Sequence, residues 1–158
     1  MATMFPFLWY AQDADKAAEF YCSIFPDSSI QRITPMPIES PSGPPGSVIV
    51  VEFTLFGQPV QAMTAGEHHP FNDAISLKVE CGDQAELDRY WDALVGNGGQ
   101  EVACGWCKDR WGVSWQIVPR RLNALMADPD IEVQKRVASA MMQMVRIDLA
   151  AIEAAARG

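Results

Sequence analysis

Two segments of the chain, 70 residues apart, show the same order of apolar and polar positions. Residues 5–13 and residues 75–83 are each a short run of strand type that ends in an aspartate. Aspartate is a good helix N-cap because its carboxylate can accept the free amide protons of the first turn. The pattern therefore predicts, in each segment, a strand that leads through Asp13 or Asp83 into a helix.

An amphipathic helix is predicted after each aspartate because apolar side chains recur with the spacing i, i+3, i+4, i+7, i+8. The offset of 70 residues holds along both helices. The apolar positions are Ala17, Phe20, Tyr21, Ile24 and Phe25 in the first helix, and Leu87, Tyr90, Trp91, Leu94 and Val95 in the second.

Strands are predicted after each helix. In the first half, residues 29–34 form one strand, residues 35–46 a mobile proline-rich loop, and residues 47–56 and 58–64 a hairpin around Gly57. In the second half, residues 100–108 and 113–118 flank a turn at 109–112. The sequence thus predicts an α+β fold with two βαβββ modules, at about 1–66 and 72–119, that enclose a cleft.

The segment 120–158 has a helical pattern and is predicted to be an extension of the same domain. Asp128 is the expected cap of one helix, with Pro129 at its first position, and Asp148 is the expected cap of a last helix. An apolar stripe runs along this tail, through Val133, Val137, Met141 and Met144. No predicted element is left to cover the stripe, so we expect it to form a homodimer interface.

Composition narrows the classes of partner. Twelve basic and twenty acidic residues give a net charge of −8, which disfavours binding to nucleic acid. No apolar run is long enough to span a membrane, and no signal-peptide pattern is present. We therefore expect a cytoplasmic protein whose four cysteines are reduced thiols.

Two pairs of residues are candidates for redox or metal chemistry. Cys104 and Cys107 lie in a predicted strand, where side chains three residues apart point to opposite faces, so we expect neither a disulfide nor a redox pair. His68 and His69 lie between Gly66 and Pro70. A solvated loop is the favoured interpretation of the histidines, and a metal or proton-transfer site is the alternative.

The duplicated unit resembles the vicinal oxygen chelate superfamily, which includes glyoxalase I, extradiol dioxygenases and bleomycin-resistance proteins. Several short sequence motifs are similar to those of its PhnB-like branch, which is often described as 3-demethylubiquinone-9 3-methyltransferase. They are Phe-Pro-Phe-Leu-Trp at 5–9, Phe-Pro-Asp-Ser at 25–28, Phe-Asn-Asp-Ala-Ile-Ser at 71–76 and Asp-Arg-Trp-Gly-Val-Ser-Trp-Gln at 109–116. The resemblance extends over nearly the whole chain, tail included, and implies the paired-module fold of a bacterial protein.

The resemblance also indicates where metal-dependent members hold their metal. The matching positions here are Pro6, Gln61, Ser76 and Gln116, none of which is charged. Divalent metals prefer imidazole, carboxylate or thiolate ligands, so we expect no metal and no cofactor. The full set of candidate ligand-binding residues in the cleft is Pro6, Trp9, Gln61, Met63, Ser76, Trp106, Trp115 and Gln116.

These residues favour a metal-free protein that binds an unknown small molecule in the cleft. No general acid or base stands out, so the catalytic residues and the reaction stay open, with Asp109 and Arg110 as candidates at the cleft rim. The alternatives are a metal-independent enzyme, a non-catalytic binding or resistance protein, and a metal-dependent lyase or dioxygenase. Methyl transfer has no support, because no Gly-rich turn for S-adenosylmethionine follows a strand.

Overall fold

Each half of the chain is a βαβββ module. The computed structural model describes residues 1–158, which form two compact units, Met1–Pro70 and Phe71–Gly158. The first unit contains β1 (Phe7–Tyr10), α1 (Ala14–Ile24), β2 (Ser29–Pro35), β3 (Ile49–Leu55) and β4 (Gln58–Thr64). The second contains β5 (Leu77–Cys81), α2 (Gln84–Gly96), β6 (Gln100–Glu101), β7 (Trp106–Lys108) and β8 (Ser114–Pro119), followed by α3 (Arg120–Met126), α4 (Ile131–Met141) and α5 (Leu149–Arg157). The predicted α+β fold with two βαβββ modules is confirmed.

The two sheets share one topology. Their strand orders are β1-β4-β3-β2 and β5-β8-β7-β6, and in each the first and last strands of the module pair in parallel. One face of each sheet is buried with the helix of its own module. The core residues include Tyr10, Tyr21, Val51 and Phe53 in the first unit, and Leu87, Trp91, Trp115 and Ile117 in the second. The opposite face of each sheet is called the open face below.

The 70-residue offset holds for the helices but not for the strands. The helices begin at Ala14 and Gln84, as predicted. The buried positions of the first strands, however, are Leu8 in β1 and Val79 in β5, which lie 71 residues apart. The connection from strand to helix spans residues 11–13 in the first module and 82–83 in the second, so it is one residue longer in the first. Strand side chains alternate between the two faces of a sheet. A residue of β1 and the residue 70 positions later in β5 therefore lie on opposite faces of their sheets.

Asp13 lies in the longer connection, where it takes a left-handed conformation and does not cap the helix. Its backbone is left-handed, with φ 63°, and its carboxylate instead lies 2.8 Å from Lys16 Nζ. The first amide of α1, that of Ala14, donates to Thr64 Oγ1. Asp83 caps α2 as predicted, because its side chain accepts a hydrogen bond from the backbone N–H of Glu86. The predicted cap at Asp13 was therefore wrong.

The predicted strand at 100–108 is broken at residues 102–105. Cys104 and Gly105 both have positive φ, 56° and 82°, and a Cβ at Gly105 would lie 3.0 Å from Ile147 Cγ1. Cys104 thus lies in a turn before β7. The expectation that the side chains of Cys104 and Cys107 point to opposite faces of one strand therefore does not apply. All four cysteines are free thiols. Cys107 is buried in the core, and this burial raises the pKa of its thiol to about 12.

The proline-rich loop is fastened at its base. The backbone N–H of Met36 donates to Val48 O, and that of Gly46 donates to Met36 O. Ser40 and Gly43 form an isolated bridge nearer the tip. The expected loop is present. Its two ends, however, are joined by backbone hydrogen bonds that continue the pairing of β2 with β3.

The tail covers part of its own apolar stripe. Val137 of α4 and Ile152 of α5 are fully buried where these helices pack against each other, and α3 packs against both. The other stripe residues, Val133, Met141 and Met144, are only half-buried. The expectation of a wholly uncovered stripe was therefore wrong, and the homodimer stays a prediction. The cap of α4 is Asp130 rather than Asp128, since the Asp130 side chain accepts from the Glu132 N–H, whereas Asp148 caps α5 as predicted.

The link between α4 and α5 fastens the tail to the second module. The backbone N–H groups of Cys104 and Gly105 donate to the carbonyls of Met144 and Val145, both at 2.8 Å. Arg146 pairs with Asp88 and Asp92 of α2, and the side chain of Ile147 is fully buried. None of the helices in the chain is long and apolar enough to cross a membrane.

Candidate functional site

The open face of the first sheet carries one apolar row and one polar row. Strand register places Trp9 beside Met63, Met63 beside Val50, and Val50 beside Thr34. The neighbouring row, two residues along the strands, consists of Phe7, Gln61, Glu52 and Arg32. Side chains directly opposite one another on adjacent strands have Cβ atoms about 5 Å apart, so the members of each row are in mutual reach.

A groove of about 410 Å³ lies over the apolar end of this face. Trp9, Val48, Met63 and Ala65 come from the sheet strands and their ends. The base and tip of the proline-rich loop supply one wall, and the loop after β4 supplies the other. The wall residues are Met36, Ser40, Pro41 and Ser42 on one side and His68 and His69 on the other. The proline-rich loop therefore contributes a wall to the groove.

His68 and His69 are exposed, as expected of a loop, but both pack against Trp9. Their ring centroids lie 6.2 and 4.9 Å from that of Trp9, each at an interplanar angle of 88°. The indole N–H of Trp9 donates to Gly66 O at 3.0 Å, which holds this loop against β1. The interpretation of the histidines as a purely solvated loop was incomplete. The parallel pairing of β1 with β4 brings the residues after β4 next to Trp9, and the sequence alone did not specify that pairing.

The polar row contains a carboxylate that sequence reasoning missed. Glu52 accepts two hydrogen bonds from Arg32 Nη2, at 2.8 and 2.9 Å, and one from Arg32 Nε at 3.2 Å. Gln61 Nε2 lies 3.5 Å from Glu52 Oε1. The available signal was a lone acidic residue in the otherwise apolar run of β3, at a position that alternates with the buried residues Val51 and Phe53.

The open face of the second sheet brings together two of the predicted residues. Gln116 Nε2 donates to Ser76 Oγ at 2.8 Å, and Trp106 lies opposite Gln116 in the strand register. Farther along this face, Asp73 accepts from Ser114 Oγ at 2.8 Å and pairs with Lys108 Nζ at 3.0 Å. The hydrogen bond from Lys108 lowers the pKa of Asp73.

Two of the eight predicted cleft residues lie elsewhere. Pro6 precedes β1 and contributes only its carbonyl, which accepts from the Gln61 N–H; the neighbour of Gln61 on the open face is Phe7. Trp115 is 1% exposed and lies on the helix side of its sheet, so it belongs to the core. The other six, Trp9, Gln61, Met63, Ser76, Trp106 and Gln116, lie on the open faces of their own sheets.

Asp109 has a structural position. It is 3% exposed, and its Oδ1 accepts from the backbone N–H groups of Trp111 and Val113. Its Oδ2 accepts from Trp115 Nε1 at 2.9 Å. The carboxylate therefore closes the 109–113 turn and orients a core tryptophan. Its neighbour Arg110 is exposed and lies over the Trp111 ring, with Cζ 4.2 Å from the centroid.

The residues at the metal positions implied by the superfamily do not fit a divalent metal. Pro6 offers no side-chain donor, and Ser76 and Gln116 are hydrogen-bonded to each other. Gln61 is a neutral amide whose acidic neighbour, Glu52, is bound to Arg32. Such a cation is held by carboxylate, imidazole or thiolate groups. The four positions supply no such group, and the carboxylate next to them is already paired.

Comparison with known proteins places the chain in a family. The family model described as 3-demethylubiquinone-9 3-methyltransferase matches residues 2–118. A PhnB protein from Bacillus cereus is 30% identical, with a TM-score of 0.65, and the match covers 75% of this chain and 98% of that one. The crystal structure of a Pseudomonas aeruginosa protein is similar in fold, at 18% identity and a TM-score of 0.56, over 75% of this chain and 97% of that one. No curated protein matches the chain.

The family match covers residues 2–118 and does not include the helical tail, so the expected resemblance over the tail stays a prediction. The three helices from Arg120 onward are an addition to the matched region. Within residues 2–118, the match agrees with the short sequence motifs shared with the PhnB-like branch and with the two βαβββ modules. The chain belongs to the PhnB-like family described as 3-demethylubiquinone-9 3-methyltransferase.

Proposed function

We propose that this protein binds a small, planar, largely apolar molecule in the groove over Trp9 and Met63. The observation that carries the proposal is the groove itself, whose volume of about 410 Å³ lies in the range of small-molecule pockets. Two methionines line it, and flexible thioether side chains adapt well to apolar ligands.

The polarity of the groove indicates the kind of ligand. The Trp9 indole N–H is already used by Gly66 O, so this side chain offers its ring rather than a donor. An aromatic ligand packed on the ring gains about 0.5–1.5 kcal/mol beyond the effect of its buried area. The hydrophobic lining of Val48, Met63 and Ala65 favours the same class of ligand.

The proposal requires no metal, since the implied metal positions hold neutral or already paired side chains. It also leaves out methyl transfer, because the β1–α1 connection, Ala11-Gln12-Asp13, contains no glycine to approach a nucleotide cofactor. A non-catalytic binding or resistance protein and a metal-independent enzyme both use such a groove. Which of the two applies depends on whether the bound molecule is altered.

Binding of 2-naphthamide, a planar neutral probe, tests the proposal by titration calorimetry. Met63→Glu places a charge in the groove and should weaken binding about tenfold or more, because a carboxylate is costly to desolvate. Thr34→Glu is the matched control, since it adds the same charge to the same row of the open face but outside the groove. Equal effects of the two substitutions, or no saturable binding to the wild type, would contradict the proposal.

A further inference from the structure

The two histidines at the mouth of the groove have ring contacts but no hydrogen bond within the chain. His68 and His69 are exposed, and each is held edge-on against Trp9. Their ring nitrogens therefore face no competing partner from the protein. A neutral imidazole offers one donor and one acceptor, and a protonated imidazole offers two donors and a positive charge.

No other ionisable side chain lines the groove. The remaining lining residues are apolar side chains and two serines. The charged side chains on the elements that form the groove are either paired or exposed. Arg32 is bound to Glu52, Glu39 is exposed beside Ser40 in the proline-rich loop, and Glu67 is exposed before the histidines. The positive charge available to a ligand in the groove is thus that of protonated His68 or His69.

The net negative charge of the chain affects which ligands can bind in the groove. With a net charge of −8, the protein repels anions on average. An anionic group can enter the groove favourably only where a local cation offsets this repulsion, and here that cation forms by uptake of a proton. A neutral ligand of the same shape does not need the proton.

We propose that the groove is a proton-coupled site for planar aromatic carboxylates, with the ring over Trp9 and Met63 and the carboxylate at protonated His68 or His69. This inference rests on the proposed function, because it assumes that the groove binds a planar molecule, and it adds the chemical class of the ligand and its dependence on pH.

The direction of the pH effect follows from linkage. A site that accepts the carboxylate only together with a proton takes up that proton on binding, so its affinity for the carboxylate rises as pH falls, by up to about tenfold per pH unit. Aromatic carboxylates stay ionised between pH 5.5 and pH 8.0.

Two probes of equal shape separate the inference from the function on which it rests. 2-Naphthoate should bind more tightly at pH 5.5 than at pH 8.0, whereas 2-naphthamide should bind with the same affinity at both values. Calorimetry in two buffers of different ionisation enthalpy should show uptake of up to one proton per naphthoate at pH 7. If the amide binds but naphthoate affinity is independent of pH, the inference fails and the proposed function stands. If neither probe binds, both fail.

Substitutions locate the proton. The single variants His68→Gln and His69→Gln, and the double variant, keep hydrogen-bonding groups but cannot become cations, and they lie in an exposed loop where folding should be unaffected. The double variant should bind naphthoate with little dependence on pH, because no imidazole is left at the groove to take up the proton, and the ratio of its naphthoate affinities at pH 5.5 and pH 8.0 should fall to about that of naphthamide. Glu67→Gln, in the same loop, is the control and should retain the full pH dependence. Retention of the pH effect in the double variant would overturn the assignment.

Discussion

Asp109 is the buried carboxylate on which the turn of the second module depends. Its two oxygens accept three hydrogen bonds, from the amides of Trp111 and Val113 and from the Trp115 indole, at 2.9–3.1 Å. Replacement by Ala removes all three and leaves buried donors unpaired. Replacement by Asn preserves the shape but turns an NH₂ group toward either the two amides or the indole N–H.

The expected losses follow from these contacts. Hydrogen bonds to a charged group contribute about 1.5–3 kcal/mol each, so Asp109→Ala should lower the free energy of unfolding by about 4–5 kcal/mol even at the lower end of that range. Asp109→Asn loses at least the bond on the side of its NH₂ group and should cost about 1.5–3 kcal/mol. Because domains are stable by about 5–15 kcal/mol, the Ala variant should lose between a third and nearly all of the stability of the fold.

Urea denaturation followed by tryptophan fluorescence and far-ultraviolet circular dichroism measures these differences. Arg110→Ala is the control in the same turn; its side chain is exposed and lies over the Trp111 ring, so its loss should cost about 0.5–1 kcal/mol. The destabilisation should increase from Arg110→Ala through Asp109→Asn to Asp109→Ala. If Asp109→Ala unfolded at the same urea concentration as the wild type, the structural role given to this carboxylate would be refuted.

Three further predictions concern the second unit. The hydrogen bond from Lys108 lowers the pKa of Asp73, so the ion pair stabilises the fold at pH values above the usual pKa of an aspartate. The difference in unfolding free energy between the wild type and Asp73→Asn should therefore shrink below about pH 4. A difference that grows in acid would contradict this. Cys81 and Cys107 are buried, with the pKa of each thiol raised to about 12, so a thiol reagent at pH 8 should reach them only after unfolding. Ile147→Ala should cost about 2–5 kcal/mol, because the side chain is fully buried where the tail meets the module, and a tail that is only loosely attached would give a negligible loss in urea denaturation.

Periodicity and turn residues were sufficient to predict the module architecture. The helix stripes predicted both helices with the correct 70-residue relation, and β4 was predicted with its observed bounds, Gln58–Thr64. What periodicity could not detect was the additional residue between β1 and α1. An aspartate before a helix has the same sequence signature whether it caps, as Asp83 does, or takes a left-handed turn, as Asp13 does.

The candidate site was only partly predictable because it depends on which face each strand buries. Trp9, Met63 and Gln61 alternate with buried neighbours and were identified. Trp115 was placed on the wrong face, although it is adjacent to Gln116 in β8 and strand alternation puts these two side chains on opposite faces. His68 and His69 gave no periodic signal. Their importance follows from the parallel pairing of β1 with β4, which the sequence alone did not specify.

The most direct test of the groove is the response of the five indole N–H signals in a protein labelled with ¹⁵N-tryptophan. On titration with 2-naphthamide, the Trp9 signal should shift in a saturable manner because its ring forms part of the groove, while the core residues Trp91 and Trp115 should show no shift. An unchanged Trp9 signal at saturating probe, or a saturable shift confined to Trp106 on the open face of the second sheet, would contradict the account.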